Sequence, residues 1–296
     1  YISGGYSIDS DGPPFNQGGG WHNINGSPKI SHVVFTGNQA IEGAGMFNLA
    51  IQDDCNPSLI NVIFRANRAR DGAGMKNIAS GDTCSPKLIN VIFSGNSASI
   101  GGAIYNYSEN GGFCEAVLTN TVMSGNRATI AGGVYNDGFS GNSSLIISNS
   151  IIWNNSLFNN SPVISNVNSS NTKITFSIIQ SYTLDSGTDT IGGNNKFGVD
   201  PLFFSAPPAG YSVEGNFHLK YLSPAIDMGD NMANPETIDL DSLPRISNAI
   251  IDMGAYEYQS PDCNLYTTNT LYVDSSLNTG NVDGTSWMNA FTCLQE

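Results

Sequence analysis

The chain has 296 residues, of which 12% are charged, and its 25 acidic against 11 basic side chains give a net charge of −14. Nucleic acids and anionic membrane surfaces are therefore excluded as partners, because both require clustered cations. The sequence holds no run of about 18 apolar residues, so membrane insertion is not expected either.

Three asparagine registers repeat through the first half of the chain. The motif Gly/Ala-Gly/Ala-Φ-x-Asn, in which Φ is apolar, recurs at spacings of 25, 29, 29 and 30 residues, and two further registers advance with it. Registers that advance together indicate one structural unit per period, which stacks on its copies. The first register is Asn23, Asn48, Asn77, Asn106 and Asn136; the second is Asn38, Asn67, Asn96, Asn126 and Asn155; the third is His32, Asn61, Asn90, Asn120 and Asn149.

The strand-forming segments within each unit are short. "SLINVIF" and "KLINVIF" are rich in β-branched residues and bounded by turn formers, and the small residues in "GAGMKN" and "GGAIYN" suit a bend into a second strand. The spacing of Leu, Val, Phe and Asn also fits a leucine-rich repeat, but the second half of the unit lacks the leucine that such a repeat requires. We therefore predict an all-β, right-handed parallel β-helix of about seven coils with a period of about 29 residues.

Stacking of these coils would place like side chains above one another, roughly 4.8 Å apart. Each asparagine amide can then donate to one neighbour and accept from the other, so the three registers are predicted to form structural ladders. Such a ladder must be uninterrupted, because an unpaired buried amide costs about 1–3 kcal/mol. The segment "KITFSIIQSY" is interpreted as one more coil, with Phe176 and Tyr182 where asparagines stood before.

Cysteines form a fourth register. Cys55, Cys84 and Cys114 lie one period apart, and a reduced interior stack is favoured over an inter-coil disulfide, whose torsion would be awkward between parallel side chains. The sequence fixes no pairing for these three or for Cys263 and Cys293.

The acidic and basic residues of the repeats suggest no catalytic constellation. Asp53, Asp54 and Asp82 are interpreted as solvated turn residues, with a weak Ca²⁺ site as the alternative and catalysis as a more distant one. No other cofactor or metal is expected. A basic group near Asp71 is interpreted as exposed turn charges: Arg65, Arg68 and Arg70.

After residue 190 the repeats give way to "FGVDPLFF", "NFHLKYLSPAIDMGD", "DLDSLPRI" and "IIDMGAYEYQ". This segment resembles the closing segment of large secreted right-handed β-helix proteins of Bacteroidetes-type bacteria, and the GGA(I/L/V) and FxxN repeats resemble those of chlamydial polymorphic membrane proteins. The resemblance implies a surface or secreted protein of tandem β-helix domains and does not imply an enzyme. An Asp–Arg network is expected to pin the terminal coil, formed by Asp227, Asp230, Asp239, Asp241, Arg245 and Asp252.

The expected domain organisation follows from these segments. Residues 1–258 would form the β-helix, with its closing segment at 197–258, followed by a linker at 259–270. Residues 271–296 are similar to the segment that opens such a domain. They could dock on the first coil of the next module, because an uncapped coil edge is open to pairing.

These features predict a non-catalytic structural or adhesive module on the bacterial cell surface, in a stalk or filament. The expected partners are copies of itself or adjacent tandem modules end to end, and glycans or a cell surface. The alternative is a carbohydrate-binding or carbohydrate-active β-helix, of the lyase or glycosidase kind, because the fold hosts both. Trp21, His22 and Trp153 could offer a sugar platform, although core packing explains Trp21 better, since it shares the register of Met46.

Overall fold

The computed structural model describes residues 1–8, 16–156, 161–181, 186–189, 193–208 and 215–259. Its contacts divide the chain into a unit Tyr1–Glu257 and a unit Tyr258–Glu296. Of the second unit only Tyr258 and Gln259 are described, so the rest of the expected linker and the expected opening segment 271–296 lie outside the described residues. Within those ranges, no helix has the length and apolar character needed to cross a bilayer.

Short parallel strands stack in register along three faces of a β-solenoid of about six turns, with a period of about 29 residues. The predicted all-β parallel architecture is confirmed, with about six turns where about seven were expected. The stack is shorter because, among the described residues, the chain beyond Ile179 adds only the two-residue strands Thr188–Asp189 and Lys196–Phe197 to it. The right-handed sense of the coil stays a prediction.

The strands are distributed over the three faces as follows. Face 1 carries Trp21–Ile24, Met46–Ala50, Met75–Ser80, Ile104–Glu109 and the N-terminal parts of Val134–Ser148 and Ile164–Thr175. Face 2 carries Lys29–Ser31, the N-terminal halves of Ser58–Arg65 and Lys87–Ser94, Thr83–Cys84, Phe113–Thr119, the C-terminal parts of the two long strands, and Thr188–Asp189. Face 3 carries Ile2–Ser3, Val34–Thr36, the C-terminal halves of Ser58–Arg65 and Lys87–Ser94, Val122–Ser124, Ile151–Trp153, Ile178–Ile179 and Lys196–Phe197. Outside the faces lie the pair Tyr6–Ser7 and Gln39–Ala40, the antiparallel pair Phe203–Ser205 and Asn216–Leu219, and the 3₁₀ turn Asn231–Ala233.

The bend between faces 2 and 3 requires a left-handed backbone, and this requirement explains the third asparagine register. The bend residues have φ between 47° and 55°, a region that asparagine tolerates better than most side chains. Phe176 keeps the same geometry in the next coil without an amide, at φ 47°. The bend residues are His32, Asn61, Asn90, Asn120, Asn149 and Phe176.

The interior is apolar and repeats from coil to coil. Phe35, Phe64 and Phe93 stack nearly parallel, with ring centroids 4.8 Å apart. Leu59 and Leu88 face each other in register on neighbouring coils, and both are fully buried. Truncating such a leucine to alanine costs about 2–5 kcal/mol, so each coil contributes its share to one continuous core.

The C-terminal part of the described chain, residues 215–257, is named here the closing strap. It runs along the side of the solenoid and bonds to the third asparagine register: Asn149 Nδ2 donates to the Asp230 carbonyl (2.9 Å) and Asn120 Nδ2 to Asn234 Oδ1 (2.8 Å). These contacts lie on interior coils, whereas the charged residues of this segment were expected to pin the terminal coil. The left-handed bend turns those amides outward, where a passing segment can reach them.

Candidate functional site

Two asparagine ladders run through the interior of the solenoid. In the first ladder each Nδ2 donates to the Oδ1 of the asparagine on the next coil at 2.8–3.0 Å. In the second ladder the corresponding distances are 2.9–3.0 Å. Every coil is therefore bonded to its neighbours from within as well as through its backbone. The first ladder is Asn23, Asn48, Asn77, Asn106 and Asn136; the second is Asn38, Asn67, Asn96, Asn126 and Asn155.

The second ladder also holds the backbone at the corner after face 3. Asn96 shows the pattern: its Oδ1 accepts from the backbone N–H of Asn67 (3.1 Å), and its Nδ2 donates to the carbonyl of Phe64 (2.9 Å). Asparagine has one acceptor and two donors at the right reach to satisfy all of these groups. The register is therefore set by the backbone groups that the corner leaves unpaired.

Both interior ladders continue beyond the residues that the repeat predicted. Asn136 Nδ2 donates to Asn166 Oδ1 (2.9 Å), and Gln180 Oε1 accepts from the backbone N–H of Asn155 (2.8 Å). Gln180 was not predicted from the sequence because the coil shortens here, to 25 residues between Asn155 and Gln180. Asn166 keeps the regular spacing of 30 residues, but Pro162 and Val163 stand where the other repeats have small residues, so the motif does not identify it. Tyr182, for which the sequence predicts a ladder position, lies outside the described residues.

The third ladder runs in the opposite direction. Asn90 Nδ2 donates to Asn61 Oδ1 (3.0 Å) and Asn120 Nδ2 to Asn90 Oδ1 (3.2 Å), while Asn61 Nδ2 lies 3.1 Å from His32 Nε2. The series stops at Asn149, whose amide bonds instead to both backbone groups of Asp230. This ladder therefore bonds the closing strap to the solenoid as well as bonding neighbouring coils to each other.

The three cysteines of the repeat are free and fully buried beside Ala50 and Ala79. Cys84 and Cys114 are direct partners on adjacent strands. Hydrogen bonds with Cys114 and Cys55, together with burial, raise the pKa of the Cys84 thiol well above its usual range. A thiol held protonated in an apolar stack is a packing residue rather than a nucleophile.

The aspartates that precede the first cysteine accept hydrogen bonds from backbone N–H groups, Asp53 within its own turn and Asp54 from the next coil. Asp53 Oδ1 accepts from the backbone N–H of Asp54 (2.8 Å), and Asp54 Oδ1 accepts from the backbone N–H of Thr83 (3.1 Å). Over the described residues, no group of three or more His, Cys, Asp or Glu side chains could hold a metal ion. Asp53, Asp54 and Asp82 therefore do not form the alternative Ca²⁺ site.

The closing strap is held by a buried guanidinium. Arg245 is 0% exposed, and its Nη1 donates to Glu257 Oε2 (3.1 Å) while Nη2 donates to the carbonyls of Asp252 and Gly254. Burial raises the pKa of Glu257 to about 7 although Arg245 opposes this shift. The expected Asp–Arg network is thus an Arg–Glu pair, while Asp239 accepts from the backbone N–H groups of Asp241, Leu243 and Glu257.

The outward side of face 1 carries a charged cluster. Lys76, although it faces outward, is 5% exposed, and its Nζ contacts Glu42 Oε1 (2.5 Å) and Asp71 Oδ2 (3.4 Å). Arg70 Nη2 bonds to Asp71 Oδ2 at 3.0 Å. Burial raises the pKa of Glu42, but Lys76, Gln17 and Arg70 outweigh it and the net shift is downward. Of the predicted exposed turn charges, Arg68 and Arg70 are exposed and Arg65 is half-buried. Asp71 beside them is buried, because the Arg70–Gly72 turn folds over the face-1 strands.

Aromatic rings lie next to this cluster on the same outward side. Lys76 Nζ sits 4.7 Å from the ring centroid of Tyr105, which in turn packs edge-on against Tyr107 and Tyr135. His22 stacks on Phe47 with centroids 5.2 Å apart. This surface was not predicted from the sequence, because outward residues differ from coil to coil and so form no register.

The tryptophan platform does not assemble. Trp21 packs against the core on face 1, whereas Trp153 lies on face 3 beside Ser124.

A scan against protein-family models gives no match for this chain, and a search of curated proteins gives no relative. Neither comparison therefore supports the resemblance to Bacteroidetes-type or chlamydial surface proteins, and the parallel β-solenoid is what the structure supports.

Proposed function

We propose that the chain is a non-catalytic structural or adhesive module of an extracellular bacterial surface protein, acting as a stiff spacer that joins neighbouring modules end to end. The single observation that carries this proposal is the continuity of the two interior amide ladders. Bending the solenoid would open one side of the stack, and it would break buried amide pairs there as well as backbone bonds. The fold therefore resists bending at every coil.

The first coil supplies the edge for such joining. Trp21–Ile24 and Lys29–Ser31 each pair with the following coil through Met46–Ala50 and Ser58–Arg65. Among the described strands neither has a partner on its other side, and an open strand edge is a template for pairing with another chain. The resemblance noted in the sequence supports the extracellular placement and tandem arrangement.

Imaging a concentration series of the full chain by negative stain tests this function. We expect rods that lengthen in module-sized steps as the concentration rises. Because Trp21 and Asn25 donate to the following coil, alternation directs the Ile24 N–H to the open edge. Ile24→Pro should therefore suppress lengthening, whereas Ile24→Thr, which keeps the N–H, should not.

Two results would contradict the proposal. One is a chain that stays single at all concentrations and shows no stiffness in the images. The other is turnover, measured as release of reducing ends or unsaturated uronates from a panel of polysaccharides, which would instead establish the carbohydrate-active alternative.

A further inference from the structure

We propose that the outward side of face 1 around Tyr107, Tyr135 and Phe139 binds neutral polysaccharide. This inference does not depend on the spacer role. It rests on a ring cluster in which Tyr105 contacts Tyr107 (centroids 6.2 Å apart) and Tyr135 (5.0 Å), and Tyr107 lies nearly parallel to Phe139 (6.3 Å, 20°). Phe139 is 65% exposed although it belongs to this cluster. An exposed group of aromatic rings on a sheet face marks an interaction surface.

The surface is linear rather than compact. Ile24, Leu49, Ile78 and Tyr107 are outward partners on four successive coils, and all four are partly or largely exposed. Neighbours in this row are spaced by the separation of adjacent strands, about 4.8 Å. That spacing is close to the length of one pyranose residue, so an extended polysaccharide along the solenoid would present one sugar to each coil.

Carboxylates border the rings. Glu109 Oε2 accepts from the hydroxyl of Tyr107 (3.2 Å), and Asp137, the register partner of Tyr107 on the next coil, accepts from Asn168 Nδ2 (2.5 Å). Burial and the charge of Glu109 raise the pKa of Tyr107 to about 12, so its phenol stays neutral and keeps its proton. Carboxylates and phenols at the rim are the partners that sugar hydroxyls need, while the ring faces suit the apolar C–H side of a pyranose.

Charge selects the class of saccharide. The neighbouring cation, Lys76, is already bonded to Glu42 and Asp71, which leaves Glu109 and Asp137 to set the sign of the field at the rings. A uronate or sulfated polymer would be repelled by these carboxylates. A protein partner would be expected to meet a larger continuous apolar area than this row of single side chains separated by carboxylates.

The test is binding of the full chain to immobilised cellohexaose, mannohexaose and chitohexaose, with hexagalacturonate as the anionic comparison, followed by calorimetry on the best neutral hexamer. Phe139→Ala should weaken that binding about tenfold, since ring stacking is lost. Asp137→Asn should relax the exclusion of hexagalacturonate. Phe113→Ala removes another exposed ring, on face 2 and 40% exposed, and should leave binding unchanged.

Melting temperatures of the variants should match that of the parent chain, because Phe139 and Phe113 are both exposed. The proposal is overturned if no neutral hexamer binds, if only hexagalacturonate binds, or if Phe139→Ala and Phe113→Ala behave alike. Capture of a protein through Phe139 without any glycan binding would also overturn it, in favour of a protein-docking face. None of these outcomes bears on rod formation, so failure here is distinguishable from failure of the spacer role.

Discussion

Replacing Asn96 by alanine tests how much a single amide of the interior ladder contributes to stability. Asn96 is fully buried and makes four side-chain bonds at 2.9–3.1 Å. The truncation removes all of them. Of the groups left behind, Asn67 Nδ2 keeps its bond to the Phe35 carbonyl, and Asn126 Oδ1 still accepts from the Asn96 backbone N–H.

The expected loss follows from this inventory. The backbone N–H of Asn67 loses its acceptor, Asn96 Oδ1, and is left unpaired in the interior, which costs about 1–3 kcal/mol. The remaining bonds each contribute a further net amount of about 0.5–1.5 kcal/mol, partly offset where the partners keep a second bond. Together these contributions predict that Asn96→Ala lowers the free energy of unfolding by about 3–5 kcal/mol.

Urea denaturation followed by circular dichroism measures this loss as a shift of the unfolding midpoint at constant slope. The matched control is Asn142→Ala, because Asn142 is an exposed asparagine on a neighbouring coil, and its expected effect is within about 0.5 kcal/mol. If Asn96→Ala cost less than about 1 kcal/mol, or no more than the control, the ladder would not be the source of the stack's stability.

Three further predictions concern the bend and the closing strap. Phe176→Asn should raise the free energy of unfolding by about 1 kcal/mol, because it relieves a left-handed phenylalanine at φ 47°. Phe176→Gly is the control, because it relieves the backbone without adding an amide side chain. Arg245→Met should cost about 3 kcal/mol and speed proteolysis within the strap, since Glu257 and two carbonyls lose their donor, while exposed Lys220→Met should do neither. The unfolding free energy should fall as the pH rises from about 4.5 to about 7 and then level off, because the native strap retains a proton on Glu257 that the unfolded chain has released. If the unfolding free energy of a Glu257→Gln chain depends on pH with the same slope, this prediction is refuted.

The solenoid itself was predictable from the sequence because its requirements recur with each coil. The third register follows from the backbone torsion of the bend, and the second follows from the unpaired backbone groups at a corner. The leucine and phenylalanine rows follow from the need to fill the core. Each requirement selects the same residue type again, as at Asn67 and Asn96 or at Phe64 and Phe93. Because the same local requirement recurs in every coil, it appears in the sequence as a detectable period.

The features that escaped prediction are those that occur once. Gln180 extends the second ladder with a longer side chain from a shortened coil, which no fixed period can identify. Arg245 pairs with Glu257, yet the sequence offered several equivalent aspartates as partners. Lys76, Tyr105 and Tyr135 share one outward column, but their types differ, so only the strand register brings them together.

The choice of asparagine over an apolar residue in the ladders has a physical explanation. Parallel coils with similar apolar rows can slide past one another by two residues and still bury comparable surface, so the core alone specifies the register weakly. A coil that slid by two residues would place Asn77 opposite Ile104 or Ser108 instead of Asn106, and the hydrogen bond between the two amides would be lost. The cost of that mismatch, about 1–3 kcal/mol for each orphaned group, is added in every coil and every ladder. The amides thus select one alignment of the stack, and the same alignment brings the outward side chains of face 1 into their rows.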